Sequence, residues 1–335
     1  MPELYFEDFE PGSVRAYGDH LVDRDAMVAF ARTYDAQPFH VDEAAAKTSP
    51  VGRLIASGWY TAGLQMRMYC DGTMLRAAGL GAPGIEEVKW LLPVAAGDRL
   101  SVRETILDSR ASRSRPDRGL VRFGLETLDG DGRPVLSQTH WVLLSRRGAA
   151  PGPAEPAASS PRALPYAPPP ARPEDEPADF DAVEIGRVSH LGSHHFGAGE
   201  VVAFARDFDP QPFHVDAEAA ARGPFGALAA SGWHTASAWM SRLVAHGEAA
   251  RRAGEAAGRP TPAWGVSPGF RDLKWRRPVF AGDTIHFATE PVEKRVSASR
   301  PGWGLVFSRN TGHNQHGELV FEFRGGRFMA QGKGG

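Results

Sequence analysis

Cysteine is almost missing from this chain. Cys70 is the only one in 335 residues, so no intrachain disulfide can form, and the composition fits a reducing, cytoplasmic setting. No apolar run is long enough to cross a bilayer as a helix. The first residues, Met-Pro-Glu-Leu-Tyr-Phe-Glu-Asp, are acidic and lack the basic-then-apolar layout of a signal peptide. Neither sign of charge dominates: 38 basic side chains face 40 acidic ones, for a net charge of −2. That balance argues against nucleic acid or an anionic membrane as partner. There is no Gly-rich phosphate loop, no nucleophile elbow and no Cys-x-x-Cys pair, which removes the commonest signatures of nucleotide, serine-hydrolase and dithiol chemistry.

What the chain does contain is one short stretch, twice. Tyr34-Asp35-Ala36-Gln37-Pro38-Phe39-His40 returns as Phe208-Asp209-Pro210-Gln211-Pro212-Phe213-His214. Each copy follows Val-Ala-Phe-Ala-Arg and is followed, at the same distance, by Ala-Ser-Gly-Trp, residues 56–59 and 230–233. The offset between copies is 174 at Asp35 and Asp209. It becomes 185 at Lys89-Trp90 and Lys274-Trp275, so the second copy carries 11 extra residues between its long helix and its first long strand. Repeats of this length are domain-sized. They divide the chain into residues 1–148, a linker over 149–177 and residues 178–335. The linker is rich in Pro, Ala, Ser and Gly, a composition that favours extended chain over a packed core. It reads as a tether that lets the two copies dock with their sheets joined edge to edge, which covers an otherwise open strand edge.

Within a copy the pattern is an extended lead-in (5–17), then a helix over 25–33 with Met27, Phe30 and Ala31 on one face. Pro38 stops the helix and forces a loop. A turn or two of helix follows at 42–46. A helix over 59–69 is apolar nearly all round, as expected of a helix enclosed by a sheet. Strands follow at 88–94, 100–107, 119–128 and 135–145, with Asp129-Gly130-Asp131-Gly132 as a hairpin signal. One buried helix followed by antiparallel strands is an α+β arrangement.

These residues resemble the MaoC-like, or (R)-specific enoyl-CoA hydratase, family of hotdog proteins. That family carries Asp-x-Asn-Pro-(apolar)-His, a His-Gly or Ser-Gly pair opening the central helix, and Pro-Val-x-x-Gly-Asp on a strand. This chain has Asp35-Ala-Gln-Pro-Phe-His40, Ser57-Gly58 and Pro93-Val94-Ala-Ala-Gly97-Asp98. It then repeats them as Asp209-Pro-Gln-Pro-Phe-His214, Ser231-Gly232 and Pro278-Val279-Phe-Ala-Gly282-Asp283. Gln37 and Gln211 depart from the usual Asn. The resemblance implies a double hotdog, two units each with an antiparallel sheet wrapped around a central helix. It also implies an acyl-CoA thioester as substrate, with no cofactor and no metal, and allows a homodimer of such chains.

The chemistry implied is reversible hydration of a 2-enoyl-CoA to the (R)-3-hydroxyacyl-CoA. A carboxylate and an imidazole on one stiff loop can hold a water and move its protons, so Asp35, His40, Asp209 and His214 are the catalytic candidates. Read singly, each pair could be a surface acid beside a structural histidine; the repeat at identical spacing argues against that. The N–H groups at Gly58 and Gly232, each at a helix start, are candidate donors to an enolate oxygen; the plainer role for these glycines is tight packing. Ser57 and Ser231 stand with these glycines as candidate oxyanion or substrate-binding residues; the plainer role for the serines is as helix N-caps. Trp59 and Trp233 are core or acyl-pocket wall. Lys89 and Lys274 either meet CoA phosphates or stay solvated. The histidines at 190, 194 and 195, and His313-x-x-His316, read as no metal site, since only His194 has a counterpart, His20. The competing functions are a hydratase for a branched dicarboxylic, mesaconyl-type thioester, for which Arg53, Arg67 and Arg276 are candidates; a thioesterase; and a non-catalytic acyl-CoA-binding protein.

Overall fold

The computed structural model describes residues 2–49, 51–149, 166–259 and 265–332. The first half runs β1 (Val14–Leu21), α1 (Arg24–Tyr34), α2 (Pro38–Val41), α3 (Glu43–Thr48), α4 (Gly58–Gly72), β2 (Gly79–Trp90), β3 (Arg99–Ala111), β4 (Arg118–Leu128) and β5 (Pro134–Ser145). The second half repeats that order as β6 (Ser189–His195), α5 (Ala198–Phe208), α6 (Pro212–Val215), α7 (Ala217–Ala221), α8 (Gly232–Ala256), β7 (Gly269–Trp275), β8 (Thr284–Val296), β9 (Trp303–His313) and β10 (Leu319–Ala330). The fold is a double hotdog of α+β class.

The ten strands of the described residues form one sheet, in the order β1-β3-β4-β5-β2-β7-β10-β9-β8-β6. The two halves mirror each other about the β2–β7 pair. There the ladder runs antiparallel from Gly84 opposite Lys274 to Lys89 opposite Gly269. Glycine stands at both ends of it for a steric reason. A Cβ on Gly84 would lie 2.0 Å from the Leu273 carbonyl oxygen, and one on Gly269 would lie 2.1 Å from that of Val88. The joined sheets leave no open edge between the halves.

Alternation explains the strands: in β4 every second residue is buried, from Gly119 to Thr127. Ten of the 15 residues of α4 are buried, which accounts for its all-round apolar sequence. The main hydrophobic core spans both halves, with two small satellite clusters around Phe180 and around Phe39. Trp59 of α4 stacks on Phe270 of β7, with centroids 5.1 Å apart at 13°, so the first half's central helix also touches the other half's sheet.

Four expectations need correction. Pro38 does not simply force a loop: it is the first residue of α2, where its missing N–H would be unpaired anyway. Strand β2 covers 79–90 rather than 88–94. Its Gly-rich first half, an unpromising strand by composition, pairs with β5 through two register shifts, and a third follows at Ile85/Glu87. The 11 extra residues of the second copy mainly lengthen α8, 25 residues against 15 in α4. Part of the proposed tether, 150–165, lies outside the described residues. The part from Tyr166 onward is docked rather than free: Tyr166 N–H donates to the Gln315 carbonyl at 2.8 Å, and the Glu176 carboxylate lies 3.0 Å from His246 Nε2 on α8.

Candidate active site

The end of α1 sets the first carboxylate. Asp35 is the C-cap, with its N–H bonded to the Ala31 carbonyl at 2.7 Å, and its φ of −152° turns the chain out of the helix. Pro38 then starts α2, which places Phe39 and His40 inside. On the other side, Ser57 caps α4: its Oγ accepts the Trp59 N–H at 3.2 Å.

These elements converge on Asp35, which is 2% exposed. The Ser57 hydroxyl donates to Oδ2 at 2.6 Å and the Gln37 amide donates to Oδ1 at 2.8 Å. His40 Nδ1 lies 2.8 Å from the Ile55 carbonyl oxygen. A carbonyl can only accept, so Nδ1 carries the proton and Nε2 of the neutral ring offers a lone pair. That nitrogen is 3.5 Å from Asp35 Oδ2.

The second half reproduces this arrangement. Ser231 donates to Asp209 Oδ2 at 2.6 Å and Gln211 to Oδ1 at 2.9 Å. His214 Nδ1 meets the Ala229 carbonyl at 2.7 Å, and its Nε2 is 3.5 Å from Asp209 Oδ2. One contact differs. The Cys70 thiol reaches Asp209 Oδ1 at 3.4 Å from across the halves, and burial pushes its pKa well up. The matching residue near Asp35 is Val244.

Each pair opens onto a cavity shared by both halves. The first, about 570 Å³, is lined by Asp35, His40, Gly58 and Trp59 and by residues of α8, β9 and β10. The second, about 190 Å³, is lined by Asp209, His214, Gly232 and Trp233 and by residues of α4 and β5. The extra residues of the second copy stand clear of both pockets in the described stretch that lengthens α8. Among the described residues, none from Gly247 to Arg259 lines either cavity.

Gly58 and Gly232 have a packing reason to be glycine. A Cβ would lie 2.5 Å from the Trp90 ring in one case and 2.1 Å from the Trp275 ring in the other. Their N–H groups stand in the first turns of helices, and among the described residues no hydrogen bond takes either one. Sequence reading offered Ser57 and Ser231 as caps or as oxyanion and substrate contacts, and overlooked their bond to the aspartate. It also overlooked the Ile55 and Ala229 carbonyls, which backbone chemistry hides from any motif.

The sequence profile of the MaoC like domain matches residues 10–123 and again 188–301. The chain belongs to the MaoC-like family. A 3-hydroxybutyryl-CoA dehydratase of Methylorubrum extorquens is 36% identical over 120 residues, covering 34% of this chain and 73% of that protein. Among solved structures, a putative MaoC domain protein dehydratase from Chloroflexus aurantiacus superposes with a TM-score of 0.78 at 16% identity, over 99% of this chain and 98% of the other. A conserved hypothetical protein of Mycobacterium tuberculosis, described as having a double hotdog fold, gives 0.72 at 17% identity, over 97% and 98%.

The remaining candidates fall outside the two MaoC-like sites or are already engaged. Lys89 pairs with Glu87 at 2.6 Å, both half-exposed, and Lys274 is exposed. Arg53 is exposed. Arg67 is bonded to Asp71 and to the Arg206 carbonyl. Arg276 lines the second cavity, but its guanidinium is held by Glu322 at 2.6 Å. His194 and His234 both approach Glu200 Oε1, at 3.0 and 3.2 Å, a cluster of ligand-type atoms within 4.8 Å of one another. Burial would raise the Glu200 carboxyl, but hydrogen bonds from the two imidazoles outweigh it and hold it near a pKa of about 2. His234 meets this carboxylate through Nε2, while its buried Nδ1 has no hydrogen-bond partner among the described residues.

Proposed function

We propose that this chain hydrates 2-enoyl-CoA thioesters, and dehydrates the 3-hydroxyacyl products, at Asp35/His40 and Asp209/His214. The observation that carries the reading is the 3.5 Å separation of His Nε2 and Asp Oδ2 in both halves. With the ring neutral, both atoms are acceptors, and a donor that bonds to both at once relieves their repulsion. A water can donate one hydrogen to each, and its own lone pairs then face the cavity.

In hydration the water oxygen bonds to the β-carbon while the carbon–carbon π bond opens toward the α-carbon. A proton leaves the water for the Asp–His pair, and the pair returns one proton to the α-carbon, so the pair ends as it began. The electrons pass through an enolate at the thioester carbonyl. The untaken N–H of Gly58 or Gly232, at a helix N-terminus, is the donor we assign to that oxygen. Ser57 and Gln37 hold the carboxylate still, which fixes where the water sits. Trp59 and Trp233 form wall for the acyl group. The R configuration of the product rests on the family resemblance.

Of the three candidate arginines, Arg53 and Arg67 line neither cavity and Arg276 is held by Glu322, which gives no support to a dicarboxylic substrate. An acid and a histidine organised alike in both halves speak against a purely binding role. The test is incubation of the full chain with trans-2-enoyl-CoA substrates of several lengths, following loss of the conjugated thioester and the chirality of the product. The reading predicts an (R)-3-hydroxyacyl-CoA. Release of free CoA without hydration would mark a thioesterase, and no reaction with any enoyl-CoA would remove the reading.

A further inference from the structure

The two cavities differ threefold in volume, about 570 against 190 Å³, although the loops that carry their acids and histidines match. The cause lies in the half opposite each loop. Behind the Asp209/His214 site, the first half is filled by three mutually packed rings. Tyr69 of α4 sits 5.5 Å from Phe123 of β4 and 5.4 Å from His140 of β5, and Phe123 and His140 stack at 5.5 Å and 19°. All three are at most 3% exposed.

The repeat names their counterparts behind the Asp35/His40 site. At an offset of 174, Tyr69 becomes Leu243; at 185, Phe123 becomes Ser308 and His140 becomes Gly325. The sheet register supports the match, because Phe123 pairs with His140 and Ser308 pairs with Gly325. Leu243, Ser308 and Gly325 all line the large cavity. Three rings have been exchanged for an isobutyl group, a hydroxymethyl group and a hydrogen, so the interior of the second half is hollow where that of the first is full.

We infer that the two sites divide acyl groups by size. The Asp35/His40 site takes long or bulky 2-enoyl groups, which run from the first half's loop into the hollow of the second. The Asp209/His214 site takes only short ones such as crotonyl. This rests on the hydratase reading of both pairs. The large cavity falls within the roughly 300–1,000 Å³ typical of pockets that enclose a sizeable ligand, and the small one falls below it. The residues that decide the difference are Tyr69, Phe123 and His140 and their three replacements. None of them belongs to the Asp–His pairs.

The experiment compares crotonyl-CoA with trans-2-dodecenoyl-CoA on the full chain. Asp35→Asn should lower dodecenoyl turnover by about 10²-fold or more while crotonyl turnover persists at the second site. Asp209→Asn should leave dodecenoyl turnover near wild type. Leu243→Tyr with Ser308→Phe, which carries the first half's residues into the second, should cost dodecenoyl turnover and spare crotonyl. Should that variant fold poorly, Tyr69→Leu with His140→Gly in the Asp35→Asn background gives the complementary readout, a gain of dodecenoyl turnover at the second site. Equal losses on both substrates from each single aspartate variant, or a wild type that hydrates crotonyl-CoA but no long enoyl-CoA, would overturn the division alone. A wild type inactive on every enoyl-CoA would overturn the hydratase reading, and the division with it.

Discussion

The Ser57 hydroxyl stands 2.6 Å from Asp35 Oδ2 while its oxygen accepts the N–H of Trp59, so one side chain both starts α4 and holds the buried carboxylate. Removing it takes away a hydrogen bond to a charged group and a helix cap at once. Such a bond contributes about 1.5–3 kcal/mol and a cap about 1 kcal/mol. Ser57→Ala should therefore destabilise the chain by about 2 kcal/mol or more in urea unfolding, with Ser57→Thr retaining part of that loss. An alanine variant as stable as wild type would mean that the bond adds nothing.

The junction of the halves depends on Gly269. Its φ is +142°, and a Cβ there would press on the Val88 carbonyl of the facing strand, a backbone atom with no rotamer to escape into. Gly269→Ala should cost about 1–3 kcal/mol by overpacking and lower the melting temperature by several degrees. Gly130→Ala is the control, since nothing lies within 4 Å of a Cβ at that hairpin. Equal melting of the two variants would contradict the steric account of the β2–β7 pair.

His140 makes the fold acid-sensitive. Burial lowers its pKa from the ordinary value to about 3, so between about pH 6.5 and 3 the unfolded chain binds a proton that the folded chain refuses. Stability then falls as pH falls, by up to about 1.4 kcal/mol per pH unit, and above about pH 6.5 this residue adds no pH dependence. His140→Phe should remove about 2 kcal/mol of the stability difference between pH 7 and pH 4.5, measured by urea unfolding at both. An unchanged difference would show that the ring already protonates in the folded chain.

The repeat, the α4 and α8 starts, most strands and both Asp–His loops were legible because each is written in local chemistry: a proline, a Ser-Gly pair, an alternation. The first half of β2 was not, because Gly79–Gly84 is held in the sheet by its neighbours rather than by its own propensity. The Ile55 carbonyl that orients His40 carries no side-chain signature. The unequal cavities were hidden for another reason. They depend on which half's interior lies behind which loop, and the residues that decide it, Tyr69 and His140 against Leu243 and Gly325, read as ordinary core until the halves are joined.

The most direct measurement of the central claim is the hydration rate of crotonyl-CoA by the double variant Asp35→Asn with Asp209→Asn, after confirming that it folds as the wild type does. If the two Asp–His pairs move the protons of the added water, activity should fall by about 10²–10⁴-fold while each single variant keeps measurable turnover. A double variant within a few-fold of wild type would contradict the account.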